Sequence, residues 1–339
     1  MSRFVILSAL LCASFTSACF AAGNQPRPNG VGIEKFDDRL DQILKVDAPV
    51  KKLASGFVFI EGPVWDRKNR RLLFSDVPDN KIYQYKNTDV STFIAPVFTQ
   101  AVPAGMNGVG SNGLTFDSKG MLTIAEHGNR RISKLVAGGY REIVITEYRG
   151  QRFNSPNDLV FDSKGNLYFT DPPYGLSDFD ASPLKELSFN GVFRLNVDGS
   201  VDVLTKTLDR PNGIALSPDE KTVYVNNSKE DQVTMAYRLD GQKVVSTSVF
   251  FDANHLEGRG VPDGLKVDML GNVFTTGPGG VLIIHPDGTH LGTISTGEFV
   301  ANVAWGGSES GRKCENNTLY MTASTSLYSV QTLTLGCSP

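Results

Sequence analysis

Residues 155–175 read SPNDLVFDSKGNLYFTDPPYG, a short strand-like run followed by a turn and a second strand-like run. Asn157 stands just before the first run and Asp171 ends the second. A single Asn before a strand is ordinary turn chemistry, because Asn tolerates left-handed backbone angles and hydrogen-bonds its own neighbours. The stretch decides the fold only because it recurs along the chain.

The recurring unit begins with a segment that has a large apolar residue at its fourth or fifth position. The six segments are EGPVWD (61–66), NGLTFD (112–117), NDLVFD (157–162), NGIALS (212–217), DGLKVD (263–268) and ANVAWG (301–306). Most are followed by a turn and a second strand, and often by a third strand. No apolar stripe of helical period continues past two turns. Six units of roughly 50 residues, each with three or four short strands, predict an all-β six-bladed β-propeller.

In a propeller, the innermost strand of each blade lines the central channel and begins at one of its mouths. The first residues of the six segments therefore form a ring, which reads Glu61, Asn112, Asn157, Asn212, Asp263 and Ala301. Turn chemistry accounts for any one Asn-Gly pair, but it does not account for the two carboxylates. Converging carboxylate and amide oxygens are destabilising without a cation between them. The ring predicts one divalent cation, Ca²⁺ first, with Mg²⁺, Mn²⁺ or Zn²⁺ as alternatives.

The composition is that of an ordinary globular protein, with 339 residues of which 40% are apolar and 20% charged. The formal net charge is -3, and the Lys and Arg residues are scattered. A nucleic-acid or anionic-membrane partner is therefore not expected.

Residues 1–22 carry Arg3, an apolar run and small residues near Ala22, which is typical of a removable export signal. The run is too short to span a bilayer comfortably, so no membrane span is expected. We expect secretion, into the periplasm if the source is Gram-negative. The alternative is a lipid anchor on Cys19, although Thr16 stands where lipoproteins usually have a large aliphatic residue.

Residues 23–49 are expected to form an irregular leader with one short helix around Asp37–Leu44, and residues 50–339 the catalytic propeller. Removal of the signal would leave only Cys314 and Cys337. In an oxidising compartment these two predict a single disulfide, with two unpaired thiols as the alternative.

The segments EGPVWD, SPNDLVFDSKGNLYFTDPPYG, RPNGIALSPDEKTVYVNNS and GVPDGLKVD together resemble the family of gluconolactonase, regucalcin (senescence marker protein) and luciferin-regenerating enzyme. The resemblance runs from about Val50 to the end of the chain. The stretch AEHGNRRI, which contains His127, is similar to the bacterial gluconolactonase-like branch. The resemblance implies a propeller that holds one catalytic divalent cation and hydrolyses sugar lactones.

The resemblance also implies site residues. It carries metal ligands onto Glu61, Asn212 and Asp263, and a residue beside metal and substrate onto Asn157, which we count both as a ligand and as a substrate contact. Sugar-binding regucalcin relatives have an arginine two positions before that asparagine, where this chain has Ser155. Arg152 is the candidate substitute, and Asn112 of the ring is a further expected substrate contact.

Lactone hydrolysis builds negative charge on the carbonyl oxygen, and polarisation by a divalent cation lowers that barrier while making a bound water more acidic. We expect Asp263 to be both a ligand and the base that takes the proton of this water. His127 is the other candidate base; the alternative is a histidine that is only hydrogen-bonded at the rim. The acids that end second strands, Asp76, Glu126 and Asp171, are expected to accept hydrogen bonds from loop backbone and to hold the ring in place.

Two other classes of function stay open, because a fold does not determine an activity. One is a calcium-dependent hydrolase of organophosphates or aryl esters, and the other is a non-catalytic propeller that binds a sugar or a partner protein. The filled ring of oxygen ligands argues against the non-catalytic propeller. The chain has no GxSxG elbow, which disfavours a covalent serine hydrolase.

Overall fold

The structure is a computed structural model that describes residues 30–308 and 312–339. The expected export signal, the alternative lipid anchor at Cys19 and the first residues of the leader lie outside this part of the chain. Among the residues described, no helix is long and apolar enough to cross a membrane.

The described chain consists mainly of short antiparallel strands, with three 3-10 helices at Asp38–Gln42, Ala137–Gly139 and Phe179–Ala181. In chain order the strands are β1 (Val31–Lys35), β2 (Lys51–Ser55), β3 (Ile60–Asp66), β4 (Arg71–Asp76), β5 (Lys81–Lys86), β6 (Asp89–Ile94), β7 (Ser111–Phe116), β8 (Leu122–Glu126), β9 (Arg131–Leu135), β10 (Arg141–Ile145), β11 (Glu147–Tyr148), β12 (Gln151–Arg152), β13 (Leu159–Phe161), β14 (Leu167–Asp171), β15 (Gly191–Leu195), β16 (Val201–Thr205), β17 (Pro211–Leu216), β18 (Thr222–Asn227), β19 (Val233–Asp240), β20 (Lys243–Asp252), β21 (Leu265–Val267), β22 (Val273–Gly277), β23 (Gly280–Ile284), β24 (His290–Thr296), β25 (Val300–Gly306), β26 (Asn316–Ala323) and β27 (Ser326–Gly336).

These strands form six antiparallel blades in chain order, which confirms the six-bladed propeller. Blades one to six begin with β3, β7, β13, β17, β21 and β25, and each continues outward through the next strands of the chain. The sixth blade takes its outermost strand from the other end of the chain, because β2 pairs with β27. This pairing joins the two ends of the propeller and closes the circle.

The leader differs from the expectation of an irregular segment. Strand β1 pairs with β24 and adds a fifth strand to the outer edge of blade five. The 3-10 helix Asp38–Gln42 follows at the place where a short helix is expected, and it buries Leu40. An outer strand has unpaired backbone groups, and β1 satisfies those of β24. The expectation was wrong because nothing local in the sequence indicates this distant pairing.

Neighbouring blades pack face to face through apolar side chains. Trp65 of blade one stacks on Tyr320 of blade six, with ring centroids 5.7 Å apart and an angle of 11° between the rings. Both belong to a cluster that also contains Ile60, Phe74 and Leu327. Burying a side chain of this size contributes roughly 2 kcal/mol relative to leaving it exposed. Such contacts hold the blades, and hence their inner strands, at fixed positions around the channel.

A disulfide joins Cys314, between β25 and β26, to Cys337 after β27. The expected pairing is therefore confirmed. The bond links the residues that follow β27 to the connection between β25 and β26, all within blade six.

Candidate active site

The six ring residues lie where the inner strands begin, and backbone hydrogen bonds join one blade to the next there. The N–H groups of Gly113, Gly213 and Gly264 donate to the carbonyl oxygens of Asn157, Asp263 and Ala301 at 2.7, 2.8 and 2.7 Å. Each donor follows a ring residue, and each acceptor is the ring residue of the next blade. These bonds thus link blades two and three, four and five, and five and six at the ring positions.

A second set of contacts holds the ring carbonyls from the side. The hydroxyls of Ser75 and Thr170 donate to the carbonyl oxygens of Asn112 and Asn212 at 2.7 and 2.6 Å. The amide of Asn226 donates to the carbonyl of Asp263 at 2.8 Å. In each case the donor lies on the second strand of one blade and the acceptor on the ring position of the next. The backbone beneath the ring side chains is therefore fixed on both sides.

The ring brings two buried carboxyl groups into contact, those of Glu61 and Asp263. Oε2 of Glu61 accepts hydrogen bonds from the N–H of Gly62 at 2.7 Å and from Nδ2 of Asn302 at 3.1 Å. Burial raises the pKa of both carboxyl groups, and the nearby carboxylate of Asp158 raises both further. Two acids in contact at such a place are costly to ionise without a compensating cation.

Asp158 is a third buried acid that sequence analysis missed as a site residue. Its Oδ1 accepts from the N–H of Leu159 at 2.9 Å, and its Oδ2 accepts from the N–H of Ile214 at 3.3 Å. The same Oδ2 lies 3.6 Å from Nζ of Lys266, on the inner strand of blade five. The ionised site thus holds three carboxylates and one ammonium group. Two negative charges remain, which is the charge that one divalent cation neutralises.

The amide side chains of the ring form a chain of hydrogen bonds beside the acids. Nδ2 of Asn157 donates to Oδ1 of Asn212, and Nδ2 of Asn212 donates to the hydroxyl of Ser228 at 2.9 Å. That hydroxyl donates to the carbonyl of Pro262 at 2.6 Å. Oδ1 of Asn157 is buried and has no hydrogen-bond partner. A buried acceptor without a partner is unfavourable, so this oxygen suits a cation or a donor from a ligand.

Within residues 30–308 and 312–339, no three acid, histidine or cysteine side chains are grouped closely enough to hold a metal ion by themselves. A cation at the ring would therefore need amide oxygens in addition to Glu61 and Asp263. The unpaired oxygen of Asn157 and the side chain of Asn212 are in place to supply them. Two carboxylates with amide oxygens and no sulfur form a donor set that fits a hard divalent cation such as Ca²⁺.

His127 lies against this ring, as expected for a candidate base. The residue is 2% exposed, its Nε2 has no hydrogen-bond partner, and its imidazole is next to the side chain of Asn157. Burial lowers the pKa of His127 to about 4, only partly opposed by the contact with Asn157. The imidazole is therefore neutral at pH 7 and able to accept a proton.

Arg152 is not brought to the ring. The residue is exposed on β12, and its guanidinium donates to the carbonyl of Asn129 on the rim at 3.0 Å. Its N–H also binds the carboxylate of Glu186 at 2.7 Å. These contacts do not support the expected substrate contact, whereas Asn112 is at its ring position and 7% exposed.

Ser155 has a structural role, which its position in the sequence did not indicate. Its hydroxyl donates to the carbonyl of Pro172 at 2.6 Å and accepts from the N–H of Gly175 at 2.8 Å. Ser155 therefore fixes the turn that follows β14. The residue at the tip of this turn, Tyr174, lies beside Asn212 and Ser228 and was also missed in the sequence.

Two of the three acids that end second strands do what was expected. Asp76 accepts from the N–H groups of Val58 and Phe59 at 2.9 and 3.1 Å, and Asp171 accepts from those of Asn154 and Ser155 at 2.7 and 2.8 Å. These bonds order the loops that lead into the ring residues of blades one and three. The expectation was wrong for Glu126, whose carboxylate binds side chains, those of Asn129, Arg131, Ser133 and Arg141.

The comparisons with known proteins agree with the fold. The chain is similar to a gluconolactonase of Zymomonas mobilis subsp. mobilis, with 40% identity over 340 residues that cover 96% of this chain and 93% of the relative. It is 26% identical to a pentonolactonase of Haloferax volcanii over 73% of this chain and 77% of that protein. A solved gluconolactonase structure from Xanthomonas campestris superposes with a TM-score of 0.77 at 28% identity, covering 89% of this chain and 95% of that one.

The family model described as SMP-30/gluconolactonase/LRE-like region matches residues 59–325, which includes every ring position. The resemblance found in the sequence is thus confirmed. This chain belongs to the SMP-30/gluconolactonase/LRE-like family.

Proposed function

We propose that this protein hydrolyses sugar lactones and that it does so with one divalent cation, Ca²⁺ in the first place, held at the ring. The observation that carries the proposal is the buried contact between Glu61 and Asp263 beside the unpaired oxygen of Asn157. The similarity to a gluconolactonase and a pentonolactonase supports a cyclic sugar ester as the substrate.

Glu61, Asn157, Asn212 and Asp263 are the residues that would hold the cation. When bound, a divalent cation supplies polarisation of the lactone carbonyl and a more acidic water. Lys266 and Asp158 lie next to this set and adjust its charge. The hydrogen bonds from Gly62 and Asn302 keep the Glu61 carboxylate oriented before any ligand arrives.

Asp263 is the proposed base. Its carboxylate is buried in contact with Glu61 at the ring, and a carboxylate that holds the cation is within reach of the proton of a neighbouring water. Water would give its proton to Asp263 as its oxygen attacks the lactone carbonyl carbon. The bond from that carbon to the ester oxygen of the lactone then breaks. This oxygen takes the proton back from Asp263 and becomes a hydroxyl group of the open acid, which regenerates the Asp263 carboxylate. Neutral His127, next to Asn157, is the second candidate base.

Asn112 and Asn157 are the proposed substrate contacts, since both belong to the ring. Export of the protein is likewise a proposal. The Cys314–Cys337 disulfide supports it, because disulfides persist mainly in oxidising compartments.

A panel of sugar lactones, aryl esters and phosphotriesters, assayed before and after EDTA and after Ca²⁺ is added back, tests the proposal. We expect hydrolysis of sugar lactones that EDTA abolishes and Ca²⁺ restores. Turnover confined to aryl esters or phosphotriesters would favour the alternative hydrolase. No turnover of any compound, with or without metal, would favour a binding module.

A further inference from the structure

The turn after β14 places one aromatic side chain, that of Tyr174, beside the ring residues Asn212 and Asp263. Tyr174 is the tip of this turn, between Pro173 and Gly175. The aromatic side chain of Tyr174 is partly exposed. It contacts Phe179, with ring centroids 6.4 Å apart and an angle of 90° between the two planes. The side chain is thus packed on Phe179 and still partly accessible to solvent.

The turn is held firmly on several sides. Ser155 binds it through the carbonyl of Pro172 and the N–H of Gly175, as described above. The carbonyl of Gly175 accepts from the N–H of Asn107 at 2.8 Å, which ties the turn to the loop that enters blade two. A Cβ on Gly175 would lie 2.8 Å from Cβ of Ser155 and 3.1 Å from Cβ of His127. The turn therefore packs directly against residues of the site, and the backbone that carries Tyr174 is held in place.

The hydroxyl group of Tyr174 is directed at the proposed site. It lies within hydrogen-bonding reach of Ser228 and Asn212, and close enough to Asp263 to feel its charge. A tyrosine hydroxyl can both donate and accept a hydrogen bond.

Ser228 and Asn212 already have partners, since they form the chain from Asn157 to Pro262. Replacing Tyr174 would leave that chain intact. The hydroxyl instead lies beside the proposed base, on a side chain that is partly accessible to solvent. Such a group is suited to a substrate hydroxyl, which also both donates and accepts.

We infer that Tyr174 binds a hydroxyl group of the lactone and thereby selects sugar lactones over lactones without hydroxyl groups. The inference rests on the proposed lactonase function. It makes Tyr174 a specificity-determining residue, whereas the ring residues act on the ester common to all lactones.

The test compares the Tyr174→Phe variant with the wild type on glucono-1,5-lactone and on δ-valerolactone, which has the same ring size and no hydroxyl groups. The variant would leave a hydroxyl group of the bound lactone without its hydrogen bond, and such a loss lowers kcat/KM by about 5- to 30-fold. We expect that loss for gluconolactone, mainly as a higher KM, and a change of less than about twofold for δ-valerolactone. Tyr140→Phe, at a tyrosine that is 76% exposed and away from the mouth, is the matched control and should leave both values unchanged.

Equal losses on both lactones would overturn the inference, because Tyr174 would then serve the reaction or the shape of the site. Unchanged kinetics on both would overturn it as well. Failure of the proposed function itself is separate, since the wild type would then hydrolyse neither lactone. Ca²⁺-dependent thermal stability of Tyr174→Phe, expected to equal that of the wild type, verifies that the variant keeps the ring intact.

Discussion

The backbone N–H of Gly213 donates a hydrogen bond to the carbonyl oxygen of Asp263 at 2.8 Å, and a Cβ on Gly213 would lie 2.2 Å from that oxygen. Blades four and five therefore meet at the channel with no room for a side chain. Asn212, which precedes the donor Gly213, and the acceptor Asp263 are both proposed cation ligands. Their spacing depends on the absence of one methyl group.

Gly213→Ala is expected to lower the free energy of unfolding by about 3 kcal/mol, because backbone on both sides must move to relieve the overlap. The variant should also lose Ca²⁺-dependent stabilisation, measured as the shift in Tm on adding Ca²⁺. Gly241→Ala is the control: Gly241 has a φ of 57° with nothing near its Cβ position, so only the backbone term of about 1 kcal/mol applies. Similar effects of the two substitutions would contradict the close contact.

Asp263→Asn should reduce kcat on a sugar lactone by at least about 10³-fold while the fold stays intact. The amide keeps an oxygen for a cation but does not take up a proton. Steady-state kinetics give the loss, and circular dichroism with thermal melting verifies the fold. Substantial remaining activity in a folded variant would refute the role as base and direct attention to His127.

Lys266→Met is expected to strengthen Ca²⁺ binding by roughly 3- to 10-fold at low ionic strength. Removal of the ammonium group beside Asp158 leaves three carboxylates without a fixed positive neighbour. Calorimetric titration at pH 8 with Ca²⁺ gives the affinity, and Lys266→Arg, which keeps the charge, should resemble the wild type. Unchanged or weaker binding in Lys266→Met would show that the lysine does not take part in the charge balance of the site.

We expect the free energy of unfolding to fall in acid because of His290, which lies outside the proposed site. Its ring contacts Phe36 and Phe251, and burial lowers its pKa from 6.5 to about 4. Between these values the unfolded chain binds a proton that the folded chain does not, so stability falls as pH decreases from about 6.5 towards 4.

Denaturant unfolding at pH 7.5 and pH 5.0 measures this effect. His290→Gln should remove about 1 kcal/mol of the pH dependence, a value reduced for the partial exposure of the ring. An identical pH dependence in variant and wild type would show that His290 is not a source of it.

Reduction of the Cys314–Cys337 bond should lower the free energy of unfolding by about 3 kcal/mol, because it closes a loop over a sequence separation of 23 residues. Thermal melting with and without dithiothreitol measures the change. The double variant Cys314→Ser, Cys337→Ser should melt like the reduced protein and should not respond to the reductant. A reductant effect that persists in this variant would have another origin.

The repeat made most of the fold predictable, since each copy has the same order of inner strand, turn and second strand. The ring followed from that alignment alone, and Glu61, Asn212 and Asp263 lie together as expected. The outer strand β1 was not predictable, because its partner β24 is far along the chain and edge pairing requires no special sequence.

The missed site residues divide into two kinds. Asp158 and Asn302 stand one position after the ring, where the other four blades have glycine, and this departure is a signal that the sequence does contain. A Cβ on the glycines of this column would overlap atoms of the next blade, so a larger residue there indicates a different contact between blades. The sequence contains no such signal for Lys266 or Tyr174. Lys266 lies on the inner strand of blade five and Tyr174 in the turn after β14 of blade three, and only the arrangement of the blades around the axis brings them to the ring.

The pairing of β2 with β27 has a consequence for how the protein is made. Blades one to five can form as the chain emerges during synthesis. Blade six needs β2, which precedes blade one in the chain, together with β25, β26 and β27. Until β27 is available, the chain is an open arc in which Trp65 and Tyr320 have not met and two sheet edges stay unpaired. Such edges and apolar faces favour aggregation and cleavage. The formation of β27 therefore determines when these edges and apolar faces become covered.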